Sequence, residues 1–449
     1  MARHLPLGPD LRFGAATASY QIEGATDVDG RGPSIWDTFA RTPGAVRDGK
    51  DGRDAPDSYH RYAEDADLLR DLGVDYYRFS VAWPRIVPQG RGRIEPRGLD
   101  YYDRVVDAVL ERGVTPTGTL YHWDLPQPLE DAGGWLTRDT AYAFADYAMV
   151  VHERLGDRVK VWATHNEPWC AAYLGYSAGV HAPGLRAGGR AHRAAHHLML
   201  GHGLAAERLH AAGCEDVGIV LNLAPVWPES RDPALLEAAD GVDAIRNRVW
   251  LGPLVDGAYD EGLLKVAPEL SDPELVRDGD LGLVRGSADW LGINYYTPVR
   301  PGPAAPTLPG RETHPETGAY PGVAPVAFLV RDPRTDIGWE VEPVGLEELL
   351  VETHARTGLP LMVTENGAAY SSGVEDEDRI AYLEGHVAAT ERARVAGADV
   401  RAYIVWTLLD NFEWAEGYTQ FFGIVAVDPV TKDRTPKASY HWLRQRLGG

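Results

Sequence analysis

Apolar residues recur along the chain at two spacings, and the two patterns alternate from one end to the other. Apolar side chains fall at helical spacing over residues 59–72 and 99–110, and Gly73 and Gly113 follow these stretches. This spacing predicts amphipathic helices that end at the glycines. Residues 384–394 also have a helical composition, and the preceding "EDEDR" is expected to form the acidic first turn of that helix.

Short apolar runs lie between the helical stretches. We predict eight strands, near Phe13, Tyr76, Thr117, Val161, Ile219, Leu291, Met362 and Tyr403. Strands that alternate with helices predict a parallel sheet, and eight units favour a barrel over a doubly wound sheet. A doubly wound sheet would carry a glycine-rich phosphate loop after its first strand, where this chain has "ATASYQIEG". The predicted fold class is α/β, a single (β/α)8 (TIM) barrel domain over residues 1–449.

Two stretches between predicted strands are longer than one helix requires. They cover residues 24–59 and 297–340, and the second is rich in proline and glycine. Either stretch could link two domains. Because the alternation of strands and helices resumes after each, we interpret both as long loops at the C-terminal face of the barrel.

Charge and cysteine content exclude several classes of partner. The formal net charge of −22 argues against nucleic acids and anionic membranes as partners. The first residues contain no apolar segment typical of a signal peptide, and no run is long enough to span a membrane. Cys170 and Cys214 form neither a disulfide framework nor a metal-ligand spacing, so we expect two buried thiols in a cytoplasmic protein.

Polar or aromatic residues lie at the end of every predicted strand, where a barrel builds its active site. These residues are Gln21, Arg78, His122, Trp123, Asn166, Glu167, Asn222, Asn294, Tyr295, Tyr296, Glu365, Trp406, Glu413 and Trp414. Each has a structural alternative: His122 could be a core histidine, Arg78 a buried ion-pair partner, and Trp406 a core side chain. Recurrence of the same residue types at all eight ends favours a common site.

The chemistry of this set fits a sugar. Carboxylates and amides match hydroxyl groups, and tryptophan offers a flat surface for the apolar C–H face. Glu167 and Glu365 fit the pair of acids that cleaves a glycosidic bond. For Glu365 a competing interpretation exists, because the following Asn-Gly is a strong hairpin signal. With one strand-end histidine and no cysteine there, we expect neither a metal nor another cofactor.

The motifs of the chain resemble those of glycoside hydrolase family 1, the retaining β-glucosidases, over essentially its whole length. The matching segments follow in the family's order: "FGAATASYQIEGA", "YRFSVAWPRI", "YHWDLPQPL", "THNEPW", "GVHAPG", "LGINYYTP", "VTENG" and "WTLLDNFEWAEGY". The resemblance implies that Glu365 is the nucleophile and Glu167 the acid/base.

The resemblance also implies the roles of the other site residues. It places Gln21, His122, Asn166, Glu413 and Trp414 around the non-reducing sugar, with Trp406 beneath its ring. Tyr296 and Arg78 would orient the nucleophile, Trp123, Asn294 and Phe422 would form walls, and Trp169 and Trp339 would lie on the aglycone side.

The implied activity is hydrolysis of terminal β-D-glucosyl residues from β-glucosides and cello-oligosaccharides, as in cellulose degradation, with β-galactosides and β-fucosides also tolerated.

Double displacement predicts carboxyl groups about 5–5.5 Å apart. We expect the charge of Glu365 to be the main cause of a raised pKa of Glu167. The alternatives are a sugar-binding barrel without activity and, less compatible with the residues, a metal-dependent hydrolase. Oligomeric state stays open.

Overall fold

The computed structural model describes residues 10–303 and 318–448. Its strands are β1 (Arg12–Ala16), β2 (Tyr76–Ser80), β3 (Thr115–Tyr121), β4 (Val161–Asn166), β5 (Asp216–Leu221), β6 (Trp290–Asn294), β7 (Pro301–Pro303), β8 (Val326–Phe328), β9 (Leu361–Asn366), β10 (Val400–Trp406), β11 (Val425–Val427) and β12 (Arg434–Pro436). Eight of them form a closed barrel in the order β1, β10, β9, β6, β5, β4, β3, β2. The barrel contains all eight predicted strands, so the predicted (β/α)8 fold is confirmed.

The helices surround the barrel and connect its strands. They are α1 (Ser19–Ile22), α2 (Ile35–Phe39), α3 (Ser58–Leu72), α4 (Trp83–Ile86), α5 (Pro96–Glu111), α6 (Gln127–Asp131), α7 (Asp139–Leu155), α8 (Ala191–Ala211), α9 (Pro233–Asp243), α10 (Val249–Val255), α11 (Glu261–Val266), α12 (Asp280–Val284), α13 (Pro343–Thr357), α14 (Glu377–Val395) and α15 (Ala438–Arg446). The predicted helical stretches correspond to α3, α5 and α14, and Glu377 and Asp378 form the acidic first turn of α14.

Two glycines of the barrel lie against tryptophan rings of the neighbouring strands. A Cβ atom on Gly118 of β3 would lie 2.3 Å from the Trp162 ring of β4, and one on Gly218 of β5 would lie 2.4 Å from the Trp290 ring of β6. Glycine is therefore required at both positions, because the indole ring of the neighbouring strand occupies the space of a side chain.

Strand β9 decides between the two interpretations of the "VTENG" segment. It pairs in parallel with β6 on one side and with β10 on the other. A hairpin would require an antiparallel partner directly after the Asn-Gly pair, so the hairpin interpretation is wrong. Glu365 is the fifth residue of a central barrel strand and lies near its C-terminal end.

The first long stretch between predicted strands folds back over the C-terminal ends of the strands. Ser34 caps α2 and forms a bridge with Pro126, and the Ile35 amide donates to the Leu125 carbonyl at 2.8 Å. These contacts place the segment against the loop that follows β3, as predicted for a long loop at this face.

The second long stretch contains the small antiparallel pair of β7 and β8. Its proline- and glycine-rich segment "VRPGPAAPTLPG" begins at Val299, and residues 304–317 lie outside the described residues. Within residues 10–303 and 318–448, none of the helices has both the length and the apolar character needed to cross a membrane.

Candidate active site

Two barrel strands, β4 and β9, bring the predicted carboxylates to the same end of the barrel, with β5 and β6 between them. Glu167 follows β4 directly and Glu365 lies in β9. Between them, β6 ends at Asn294, which pairs in register with Glu365. The Asn294 amide nitrogen donates to Glu167 Oε1 at 2.8 Å, and Asn294 is also among the groups that lower the pKa of Glu365. Asn294 is thus bonded to one carboxyl group and in register with the other; the separation of about 5–5.5 Å in retaining enzymes stays a prediction.

Glu365 is held by a cation and a phenol. Arg78 Nη1 donates to Glu365 Oε1 at 2.6 Å, and the Tyr296 hydroxyl donates to Oε2 at 2.7 Å. Burial raises the pKa of Glu365, whereas the charge and hydrogen bonds of Arg78 and the Tyr296 bond lower it. Because each oxygen accepts a charge-assisted hydrogen bond, the ionised form of this buried carboxyl is stabilised.

Glu167 lies in a less favourable setting for charge. Burial raises its pKa to about 7, and the negative charge of Glu365 is the second cause of this rise. Our expectation that the charge of Glu365 would be the main cause is therefore wrong. Removal from water penalises the ionised form of Glu167 more than the neighbouring charge does, and no cation forms a salt bridge with it among the described residues.

Three predicted site residues have left-handed backbone conformations. The φ angles are 74° for Trp123, 46° for Glu167 and 49° for Trp414. Non-glycine residues in this region are uncommon and cluster at functional sites, where the surrounding structure compensates their cost. All three follow barrel strands, and the unusual backbone turns their side chains into the same cavity.

A polar network orients the amide of Asn166. Its Oδ1 accepts from Arg78 Nη2 at 2.7 Å and from Asn294 Nδ2 at 3.0 Å, so its Nδ2 faces His122 Nε2 at 3.1 Å. Burial, together with the charge of Arg78, lowers the pKa of His122 well below its usual range. A neutral His122 with an accepting Nε2 follows from this arrangement.

Aromatic rings form the walls of the cavity. The His122 ring stacks between Trp406 and Trp414, at 5.8 Å from each centroid, and Trp123 contacts Trp414 at 4.5 Å. On the other side, the Trp339 ring lies 5.2 Å from Tyr296 and 5.9 Å from Phe422. Flat apolar surfaces therefore flank the two carboxyl groups, as the predicted sugar site requires.

Gln21 and Glu413 present polar atoms that have no hydrogen-bond partner within the described parts of the chain. Gln21 donates its amide hydrogens to Asn411 Oδ1 at 3.1 Å and to the Phe412 carbonyl at 2.8 Å, which leaves its own Oε1 without a donor. Glu413 Oε2 is likewise buried without a partner. Burial, followed by the charges of Glu365 and Glu167, raises the pKa of Glu413. Buried polar atoms without partners at one site are what hydroxyl groups of a ligand would satisfy.

The cavity has a volume of ≈ 560 Å³, within the range of small-molecule sites. Most of the predicted residues line it: His122, Trp123, Glu167, Asn294, Tyr296, Trp339, Glu365, Trp406, Glu413, Trp414 and Phe422. Gln21, Arg78 and Asn166 are buried next to this lining; Arg78 donates to Glu365 and Asn166 faces His122, whereas Gln21 is held by the loop after β10.

Trp169 does not line the cavity, in contrast to its predicted place on the aglycone side. Its side chain is fully buried, and its ring packs against Tyr320 at 5.6 Å and beneath the Arg246 guanidinium at 4.0 Å. Trp169 therefore supports Arg246, which does line the cavity. The sequence could not show that Arg246 and not Trp169 faces the cavity, because the direction of a side chain depends on how the chain packs.

Several lining residues were missed by sequence reasoning. His181 contacts Trp123 at 5.4 Å, Arg246 lowers the pKa of Glu167 through its charge, and Cys170 contacts Glu167 directly. His181 lies in the "GVHAPG" motif and Cys170 follows "THNEPW" by one residue, so both carried a signal. Arg246 lies between α9 and α10, far from any predicted strand end, and no signal pointed to it.

The chemistry of this cavity follows from its two carboxyl groups. One carboxyl beside a guanidinium and a second carboxyl with a pKa of about 7 are the arrangement that glycosidic bond cleavage by a nucleophile and an acid needs. The fold and the site together define a barrel glycoside hydrolase.

Comparison with known proteins identifies the family. The model of glycosyl hydrolase family 1 matches residues 4–447. A bifunctional β-D-glucosidase/β-D-fucosidase of Bifidobacterium breve is 45% identical over 96% of both chains. The thermostable β-glucosidase B of Thermobispora bispora is 48% identical over 96% of this chain and 88% of its own. The crystal structure of the psychrophilic β-glucosidase BglU from Micrococcus antarcticus superposes with a TM-score of 0.93 at 45% identity, over 98% of this chain and 97% of its own. This chain belongs to glycosyl hydrolase family 1.

Proposed function

We propose that this protein is a retaining exo-β-glucosidase that removes terminal non-reducing β-D-glucosyl residues, with Glu365 as nucleophile and Glu167 as acid/base. The observation that carries the proposal is the difference between the two carboxyl groups. Glu365 accepts hydrogen bonds from Arg78 and Tyr296, whereas burial raises the pKa of Glu167 to about 7. One carboxyl is thus prepared to attack and the other to donate a proton.

In the first step, a Glu365 oxygen attacks the anomeric carbon while Glu167 donates its proton to the departing glycosidic oxygen. A covalent glycosyl-enzyme ester forms and the aglycone leaves as an alcohol. The negative charge of Glu365 is consumed in the ester, which removes one cause of the raised pKa of Glu167. Glu167 is therefore left as a carboxylate.

In the second step, Glu167 takes a proton from a water molecule that attacks the anomeric carbon from the face that the aglycone left. Glu365 is released as a carboxylate, and the sugar leaves with its original configuration. Arg78 and Tyr296 stabilise the charge that returns to Glu365, because both donate to its oxygens.

The sugar itself is proposed to lie above Trp406, surrounded by the polar atoms that have no partners in the protein. Glu413 Oε2 and Gln21 Oε1 are available to accept from hydroxyl groups. Asn166 faces His122, and Arg78 donates both to Asn166 and to Glu365. Hydrogen bonds of this kind to the 2-hydroxyl strengthen in the transition state.

Tolerance of β-galactosides and β-fucosides and hydrolysis of cello-oligosaccharides, as part of cellulose degradation, belong to the same proposal. The β-D-glucosidase/β-D-fucosidase of Bifidobacterium breve, 45% identical, supports tolerance at both the 4- and the 6-position, because D-fucose is 6-deoxy-D-galactose. The cavity volume of ≈ 560 Å³ and the position of Trp339 in its wall support binding of a second ring on the aglycone side.

We further propose that residues 1–449 act as one catalytic unit in the cytoplasm. Pairing of β1 with β10 supports the first part, since the barrel closes only when both ends of the chain are present. Retention of Cys170 and Cys214 as buried thiols supports the second, because disulfides are rare in a reducing compartment.

Azide rescue tests the two catalytic roles. With 2,4-dinitrophenyl β-D-glucoside, a Glu365→Gly variant is expected to lose activity by several orders of magnitude and to form α-glucosyl azide when azide is added. A Glu167→Gly variant is expected to form β-glucosyl azide, because azide then attacks the glycosyl-enzyme. Glu64→Gly, on an exposed part of α3, is the control.

Different outcomes separate the alternatives. Full activity of Glu365→Gly without azide would contradict the nucleophile assignment. Binding of glucose by the natural chain without turnover of any aryl β-glycoside would favour a sugar-binding barrel. A panel of aryl β-glucosides, β-galactosides and β-fucosides, measured as kcat/KM, then ranks the sugars.

A further inference from the structure

The acid/base Glu167 is contacted by a thiol as well as by an amide. Its Oε1 accepts from Asn294 Nδ2, whereas its Oε2 lies 3.1 Å from Cys170 Sγ. A sulfur atom at this distance from a carboxylate oxygen is in hydrogen-bond contact. The sequence alone suggested only a structural role for this cysteine, and the catalytic steps described above do not use it.

Backbone geometry fixes the thiol relative to the carboxyl group. The amide of Cys170 donates to the Glu167 carbonyl at 3.0 Å, and a π-helical segment begins at Cys170 and extends to Ala178. Such segments are rare and occur frequently at functional sites. Since the turn closes over three residues, it fixes the Cα of Cys170 close to Glu167, and the direction of the thiol is then set by its side-chain contacts.

A second contact sets the direction of the thiol proton. Asn222 Nδ2, at the end of β5, lies 3.3 Å from Cys170 Sγ. An amide nitrogen only donates, so the sulfur accepts from Asn222. The single S–H hydrogen then points to Glu167 Oε2. Asn222 thus donates to the Cys170 sulfur, and the Cys170 thiol donates to Glu167.

We propose that Cys170 is a positioning residue for Glu167, oriented by Asn222 so that its thiol donates to the carboxylate form of the acid/base. The proposal rests on the acid/base role of Glu167 given above. A donor to Oε2 stabilises the carboxylate that Glu167 becomes after it protonates the leaving group. It also holds that oxygen in place while Oε1 is held by Asn294.

Several other groups around Glu167 also affect its pKa. The charged or titratable groups that face it are Glu365 from β9, Glu413 from the loop after β10, Tyr296 after β6 and Arg246 before α10. Burial and Glu365 raise the pKa of Glu167, whereas Asn294, Cys170 and Arg246 lower it. Loss of the thiol therefore removes one of the few contributions that favour the ionised form.

The test is the pH dependence of kcat/KM with 4-nitrophenyl β-D-glucoside, whose basic limb reports the pKa of Glu167 in the free enzyme. Cys170→Ala is expected to move this limb upward by about half a pH unit, the size of one weak hydrogen bond. Cys170→Ser keeps a donor and is expected to restore the limb to its natural position or below it. Cys214→Ala, which removes a buried thiol beside the Lys160 carbonyl, is the control and is expected to leave the limb unchanged.

Each result decides one part of the proposal. An unmoved or lowered basic limb in Cys170→Ala, with Cys214→Ala unchanged, would overturn the role of the thiol, since a thiol that accepted from Glu167 would shift the limb downward. Glu167→Gln serves as a separate check on the acid/base assignment. If the basic limb persisted in Glu167→Gln, the assignment itself would fail. If the limb disappeared there but did not move in Cys170→Ala, only the role of Cys170 would fail.

Discussion

Removal of the Tyr296 hydroxyl tests how the nucleophile is kept ionised. The hydroxyl donates to Glu365 Oε2 at 2.7 Å, and Arg78 donates to Oε1 at 2.6 Å. Tyr296→Phe keeps the ring that packs against Trp339 and Phe422 but leaves one oxygen of a buried carboxylate without its donor. The ionised form of Glu365 is thereby destabilised, so its pKa rises.

The structure sets the expected size of this change. A hydrogen bond to a charged group contributes about 1.5–3 kcal/mol, which corresponds to about 1–2 pKa units. Because the bond from Arg78 remains, we expect the lower end, a shift of about 1 pH unit. Glu365 must be ionised to attack, so the acidic limb of the kcat/KM profile with an aryl β-glucoside moves to higher pH. The basic limb, which depends on Glu167, moves less.

The neighbouring tyrosine provides a matched control. The Tyr295 hydroxyl donates to the Glu342 carbonyl at 2.7 Å and makes no hydrogen bond with either catalytic carboxyl group. Tyr295→Phe therefore removes a buried hydroxyl of the same kind and should leave both limbs in place. An acidic limb that stays unmoved in Tyr296→Phe, or that moves equally in Tyr295→Phe, would refute the reasoning.

Two further substitutions probe the structure that supports the site. A Cβ atom on Gly367 would lie 1.7 Å from the Trp406 carbonyl oxygen. Gly367→Ala should therefore lower the free energy of unfolding by about 1–3 kcal/mol and reduce kcat/KM. Gly282→Ala, with open space around its Cβ, is the control and should change neither quantity. Arg379→Met should lower the free energy of unfolding in urea by about 3–5 kcal/mol, because the buried Asp376 carboxylate loses its cation. Arg446→Met, which removes the exposed pair with Glu391, should lower it by less than about 1 kcal/mol. Equal costs at the two arginines would contradict the role of burial.

The positions of the strands were predictable because a strand's pattern is local. All eight predicted strands lie in the barrel, and the glycine after Leu72 ends α3 with a φ of 82°. The candidate site was predictable for a related reason. In a closed parallel barrel, the ends of all strands meet at one face, so residues far apart in sequence need no pairwise information to be grouped.

The sequence by itself thus determined the barrel, and it was enough to predict the two carboxyl groups and the aromatic and polar side chains around them. Tertiary structure decided what depends on side-chain direction and burial. Trp169 lies behind the cavity wall and Arg246 in it. Burial rather than the charge of Glu365 is the first cause of the raised pKa of Glu167, and the Cys170 thiol contacts Glu167 through a turn that no spacing rule predicts. These properties depend on how water is excluded and on the directions of side chains from distant segments, and neither exists before the chain is packed.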